Sequence, residues 1–276
     1  MRLSFLAGLM MCLQALVSLP LARASDFFQA PLMPGEQLTY MVEFMSMRIA
    51  RVEFSVMPPV DTLGMKLHHV RAEIHTLMRL PFFYAEDRYD SYFDADYRPV
   101  LYTGTGKRKN YTFRLYMFVD YEKRQVYAVE YRSQGREERV HWEYQEPLQE
   151  TIYDHLTLFY YVRSKLHQLM IDTGLELPIL ANGKIKRIHF KPKAGVKSVR
   201  FGEQSMETVP LNVRLGFKTL AGLREIKFFL SSDDRSLPLK GFLNFMVGKA
   251  NISLVEYSVG RFPFVQAAES TGSGGK

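Results

Sequence analysis

Apolar and polar residues alternate nearly one for one along most of this chain, and few patterns constrain a fold more tightly. A period of two places every second side chain on one face of an extended strand. Leu38, Tyr40, Val42 and Phe44 share one face, with Gln37, Thr39 and Glu43 between them. Ala50, Val52, Phe54 and Val56 repeat the pattern against Arg51, Glu53 and Ser55. The short junction Ser46-Met47-Arg48 predicts a hairpin, and Pro58-Pro59 is expected to stop the second strand, because proline has no ladder donor. Further strands are expected over Lys66–Thr76, Arg88–Phe93, Val100–Thr105, Tyr111–Asp120, Gln125–Tyr131 and Glu137–Tyr144, with Gly104, Gly106, Asn110 and Gly135 in the turns. Tyr116 and Phe118 give the Tyr111–Asp120 strand a second apolar face, which predicts burial on both sides.

One segment departs from this period. Over residues 154–170, Leu156, Phe159, Tyr160, Leu166 and Met170 recur largely at helical steps, with Asp154 as N-cap and Gly174 as terminator. Strands resume over Leu175–Leu180, Lys186–Lys191, Met206–Arg214, Glu225–Ser231, Leu237–Val247 and Asn251–Ser258. The expected fold is mainly β: a curved antiparallel sheet, half-barrel or sandwich, with one principal helix at about 154–170.

The start of the chain speaks to compartment. Arg2, the apolar run from Leu3 to Leu21 and the triplet Ala22-Arg23-Ala24 have the layout of a secretory signal peptide over 1–24. The alternative is an uncleaved anchor, since the run is near bilayer-spanning length. Cys12 is the sole cysteine and lies inside this run, so cleavage leaves no disulfide, zinc-thiolate site or thiol nucleophile. The roughly 250 residues after it are ample for a core. We expect one β-rich periplasmic domain over 25–262 and a disordered Gly/Ser-rich tail over 263–276. The mature chain is expected to be soluble and to have no transmembrane segment. The full chain carries a net charge of +7, and removal of Arg2 and Arg23 leaves +5, a balance that suits anionic envelope surfaces, whereas the compartment and the absence of a recognition motif argue against nucleic acid.

Four patches carry a family likeness. They are Gly35-Glu36-Gln37-Leu38-Thr39-Tyr40; Phe82-Phe83-Tyr84 leading to Asp87-Arg88-Tyr89-Asp90-Ser91-Tyr92-Phe93-Asp94; Asp154 to Arg163; and Phe229 to Pro238. In this order the chain resembles the bacterial exported family catalogued as domain of unknown function 3108, from about Gly35 to Tyr257. The resemblance implies an antiparallel β-protein of the cell envelope and no particular activity. His155 departs from it, standing where an apolar or small residue is expected after the aspartate.

The same patches have a physical reading. Asp87, Arg88, Asp90, Asp94, Asp154, Arg163, Asp233, Asp234 and Arg235 put carboxylates near guanidinium groups, which can staple strand ends through bidentate hydrogen bonds or serve a ligand. Leu237-Pro238 suggests a turn feeding an edge strand. If the strand continues, Asp90 and Asp94 share a face with Arg88 and Tyr92. Two facing carboxylates would suit glycoside hydrolysis. The adjacent His68 and His69 point to opposite faces of a strand, so no metal site is expected. No nucleophile elbow, dinucleotide fingerprint or phosphate loop occurs, so no catalytic residue and no cofactor are assigned.

The leading expectation is therefore non-enzymatic binding of an envelope lipid, lipoprotein or glycolipid, with the helix as a lid over the sheet. Tyr40, Phe113, Met117, Phe159 and Tyr160 are the expected cavity walls. An assembly module that binds an envelope protein through a sheet edge is the second expectation, and a cell-wall or polysaccharide hydrolase the third.

Overall fold

The alternation becomes a single antiparallel sheet wrapped around the helix. A computed structural model describes residues 32–62, 64–78, 84–169, 174–217, 225–245 and 248–260. Its first eight strands are β1 (Glu36–Phe44), β2 (Met47–Thr62), β3 (Met65–Thr76), β4 (Glu86–Phe93), β5 (Pro99–Lys107), β6 (Thr112–Asp120), β7 (Gln125–Gln134) and β8 (Glu137–Pro147). The helix α1 (His155–Leu169) comes next. The remaining strands are β9 (Leu175–Ala181), β10 (Lys184–Pro192), β11 (Lys197–Phe201), β12 (Gln204–Leu215), β13 (Glu225–Ser231), β14 (Pro238–Phe245) and β15 (Gly248–Val259). The signal segment 1–24, Cys12, Phe82, Phe83, Met170 and the tail 263–276 lie outside the described residues.

The strand order is β8-β7-β6-β5-β4-β3-β2-β1-β15-β14-β13-β12-β10-β9, with β11 paired to β12 alone. The first and last strands thus lie side by side in the middle of the sheet. Register shifts in the β1–β15, β1–β2, β2–β3, β4–β5, β7–β8 and β13–β14 ladders add twist and bend the sheet. The curl brings β8 towards β9 without a ladder between them. Tyr153 crosses that seam: its amide donates to the Pro178 carbonyl (3.1 Å), and its carbonyl accepts from the Leu180 amide (3.3 Å). Arg187 adds a hydrogen bond to Glu150 (3.2 Å).

Buried residues cover every side of α1, so it fills the concave face as a plug and is not a lid. Phe54 and Phe159 stack at 4.6 Å, and Tyr161 packs against Tyr97 and Tyr153 at 5.5 and 5.0 Å. Among the described residues, no helix is long and apolar enough to cross a membrane.

Several local expectations need correction. Pro58 and Pro59 do not end β2: the register jumps between Met57 and Val60, so the prolines sit in a bulge that asks no amide of them. The first hairpin turns at Met45 and Ser46, both left-handed (φ 50 and 68), and Met47 already belongs to β2. Tyr116 and Phe118 are exposed, because they lie on the outer face of the curled sheet, opposite Phe113, Met117 and Val119. Pro238 opens an inner strand, with β13 and β15 on its two sides. The strand β4 ends at Phe93, and Asp94 instead caps the next turn by accepting from the amides of Asp96 and Arg98. The strand β11 escaped the period-two reading: it has five residues, none fully buried, and so little apolar contrast.

Candidate functional site

The strand β4 distributes its side chains between two environments. Arg88, Asp90 and Tyr92 face outward, while Asp87, Tyr89, Ser91 and Phe93 face the interior. Next to α1, the Ser91 hydroxyl donates to Asp154 Oδ2 at 2.7 Å. Asp154 also accepts from the amides of Leu156 (2.7 Å) and Thr157 (3.0 Å) and from the Thr157 hydroxyl (2.6 Å). The aspartate therefore caps the helix and ties it to the sheet. Burial raises its carboxyl, and these donors offset part of the rise.

Further along the helix, Arg163 makes a second joint. Its guanidinium donates to both carboxylate oxygens of Glu36 at 2.7 Å, with 3% and 2% of the two side chains exposed. It also donates to the Arg235 carbonyl through Nε (3.3 Å) and Nη2 (3.1 Å). Asp233 accepts from Ser231 (2.6 Å) and from Arg235 Nε (2.8 Å), which shapes the turn that presents this carbonyl. Asp234 makes no contact that assigns it a role. Tyr40, Phe159 and Tyr160 gather around this joint and the Phe54 stack.

Of the remaining interior side chains of β4, Tyr89 borders a recess of about 80 Å³, partly open to solvent, beside the β8–β9 seam. Phe113, Leu115 and Met117 of β6 line it, with Glu130 and Trp142 on one flank and Leu180, Ala181 and Asn182 on the other. Tyr89 and Tyr102 stack at 5.9 Å, and the His155 ring lies 5.7 Å from Tyr102. The Tyr102 hydroxyl bonds His155 Nδ1 at 3.3 Å. His155 is half-buried and lines this recess, and burial lowers its pKa well below the usual imidazole value.

Gly104 and Gly106 were expected in a turn, but they lie within β5 because the recess wall needs them there. A Cβ on Gly104 would lie 2.7 Å from the Tyr89 ring, and one on Gly106 would lie 2.5 Å from the Phe113 ring and collide with Asp87. Their bare backbone lets Asp87 lie flat and accept both Nη groups of Arg108, with Nη2–Oδ2 at 2.6 Å. Burial raises the Asp87 carboxyl, and Arg108 counters much of that.

Of the five expected cavity walls, Phe113 and Met117 line the recess, while Tyr40, Phe159 and Tyr160 pack around α1. Tyr89, Tyr102, Arg108, Glu130, Trp142 and His155 were not anticipated as lining residues. Glycines at alternate positions of an otherwise β-patterned run were the available signal for this wall. Among the described residues, His155 is the one helix residue that lines the recess.

Asp87 and Asp90 point to opposite faces of β4, so they do not form a pair across a cleft. On the outer face, Asp90 accepts from His69 Nε2 (2.7 Å), Arg71 Nε (2.8 Å) and Arg88 Nε (3.0 Å). Burial alone would raise its carboxyl, but these hydrogen bonds outweigh burial and hold it well below the usual carboxylate range. A carboxyl depressed in the folded state stabilises above its unfolded pKa, and that contribution fades as pH falls through the folded value. We therefore expect Asp90→Asn to cost about 1–2 kcal/mol at pH 7. Urea midpoints for both proteins between pH 7 and 3 should show the gap closing below about pH 4; a gap constant with pH would refute this.

Metal-type donors approach one another at one place among the described residues, where ligand atoms of Glu53, Glu73 and His75 lie within 4.8 Å. Glu53 already pairs with Arg51 (2.6 Å) and His75 with Glu86 (3.1 Å), so these side chains belong to a surface ion-pair lattice.

Comparison with curated protein sequences finds no match. Among solved structures, the chain is similar to a β-barrel-like protein of the DUF1849 domain of unknown function from Brucella abortus, with TM-score 0.52 and 8% identity, covering 83% of this chain and 99% of that one. A protein with a YmcC-like fold from Bacteroides fragilis superposes with TM-score 0.35 and 7% identity over 84% of this chain and 99% of its own, too loosely to carry weight. The first likeness concerns fold alone and agrees with a curled, unclosed sheet. The sequence itself matches the family described as protein of unknown function (DUF3108) over residues 39–255, and the chain belongs to that family.

Proposed function

We propose that this protein is a non-catalytic binding protein of the bacterial cell envelope, exported with cleavage after Ala24. Its ligand would be an amphipathic molecule of the lipid, lipoprotein or glycolipid kind, held with its apolar part in the recess. The observation that carries this reading is the recess itself. It opens to solvent, is walled by aromatic and aliphatic side chains and holds a few convergent polar groups, so it could seat part of an apolar chain whose remainder lies along the open mouth.

The test is native mass spectrometry of protein purified from periplasm without detergent. The expected result is a polypeptide beginning at Ser25 that carries a discrete extra mass, lost on organic extraction. Trp142, the sole tryptophan, lines the recess and gives an optical readout. Re-adding the extracted molecule should change its fluorescence saturably, and Leu115→Phe, which fills the space, should weaken binding at least tenfold. A clean apo mass and an unresponsive Trp142 would overturn the proposal.

A second reading has its own observation. The edge strand β8 is exposed along nearly its whole length and pairs with β7 on one side only among the described residues. Strand addition there would make the protein an assembly module. The same mass measurement separates the two readings, since a co-purifying polypeptide in place of an amphiphile favours the edge.

A further inference from the structure

The side chains that line the recess also constrain the head group of its ligand, a conclusion that rests on the binding reading. Two of them bear charge, Arg108 and Glu130, and both are already matched from within. Arg108 grips the fully buried Asp87 carboxylate with both Nη groups. Glu130 accepts from Arg132 Nε at 2.6 Å and from the Trp142 indole N–H at 3.0 Å. The local charge is therefore balanced, although the chain as a whole carries +7.

Arg108 keeps N–H groups free, but Asp87 already neutralises its charge, so an anionic head group would meet no uncompensated cation. Glu130, paired with Arg132, likewise offers a cationic head no uncompensated anion. A charged head would therefore give up water without a matching counter-charge in the recess. Neutral hydrogen bonding remains on offer. Asn182 lines the recess and is exposed, which puts a neutral amide within reach of a ligand. The Tyr102 hydroxyl and His155 Nδ1 share a hydrogen bond, which leaves Nε2 of the imidazole for a partner in the recess. Burial favours the uncharged ring, so it bonds as a neutral group.

We infer that the recess selects an amphiphile with an uncharged, hydrogen-bonding head, such as an ester, amide or hydroxyl, over one ending in a carboxylate or phosphate. Long-range attraction from the basic surface would favour the opposite order, so the two effects are separable by experiment.

The mature protein is titrated with three twelve-carbon probes below their micellar concentrations: the glycerol monoester of lauric acid, laurate and dodecyl phosphate. Binding is followed by Trp142 fluorescence and checked by native mass spectrometry of each mixture. The monoester should bind at least tenfold more tightly than either anion. Saturable binding with laurate or dodecyl phosphate equal to or tighter than the monoester overturns the head-group inference and leaves the binding proposal standing. Absence of binding by all three, in both measurements, overturns both.

Discussion

Replacing Arg163 with methionine is expected to lower stability by about 3–5 kcal/mol, on the order of 10 °C in melting temperature. The side chain it removes holds three parts of the chain together: Glu36 at the start of β1, the helix, and the Arg235 carbonyl in the turn before β14. Methionine keeps much of the buried volume, so little of the loss comes from a cavity. It comes from a Glu36 carboxylate left in the interior without its partner and from a carbonyl left without donors. The diagnostic is the double variant Glu36→Leu with Arg163→Met. Because desolvating an ion pair cancels much of its attraction, replacing both partners by apolar groups should restore most of the stability. Chemical denaturation of the wild type, both single variants and the double variant gives the coupling energy directly. A single-variant cost below about 1 kcal/mol would mean that the joint is not a stabilising contact.

The second large effect is expected at the other end of the helix. Asp154→Ala removes four accepted hydrogen bonds at once, two from helix amides and two from the hydroxyls of Thr157 and Ser91. Loss of the cap and of the buried partners should cost about 2–4 kcal/mol together. Asp154→Asn should cost less than half as much. Burial raises the Asp154 carboxyl, so the negative charge is itself disfavoured there, and an amide oxygen can still cap the helix. Far-ultraviolet dichroism and denaturant midpoints on the two variants check this; equal losses would show that the charge, rather than the hydrogen bonds, carries the effect.

These joints explain what the family-like patches do in three dimensions. The segments around Glu36, Ser91, Asp154–Arg163 and Arg235 are far apart in the chain, and each supplies one half of a contact that docks α1 into the curled sheet. The charged residues of these patches make contacts of several kinds. Asp94 and Asp233 shape turns, Asp87 and Arg163 sit in buried pairs, and Asp90 anchors an outer-face network.

Legibility in the sequence tracked the range of the interaction. Strands such as β1 and β3 were readable because their alternation is written in neighbouring residues. The Asp154 cap was readable because its helix partners lie two and three positions away. Its Ser91 partner, 63 positions distant, left no local trace. The Pro58-Pro59 bulge escaped for a related reason: proline forbids a donor, but only the partner strand decides whether one is needed.

The sequence by itself determined a β-rich chain with one helix after the eighth strand, because period and capping are local properties of the polymer. Tertiary structure decided which way the helix lies and what it leaves uncovered. Curvature from the bulges curled the sheet around α1, placed Gly104 and Gly106 in a wall instead of a turn, and brought His155, Tyr102 and Trp142 to one recess. Those contacts depend on how far fifteen strands bend together, a sum over the whole sheet that no short window of residues encodes.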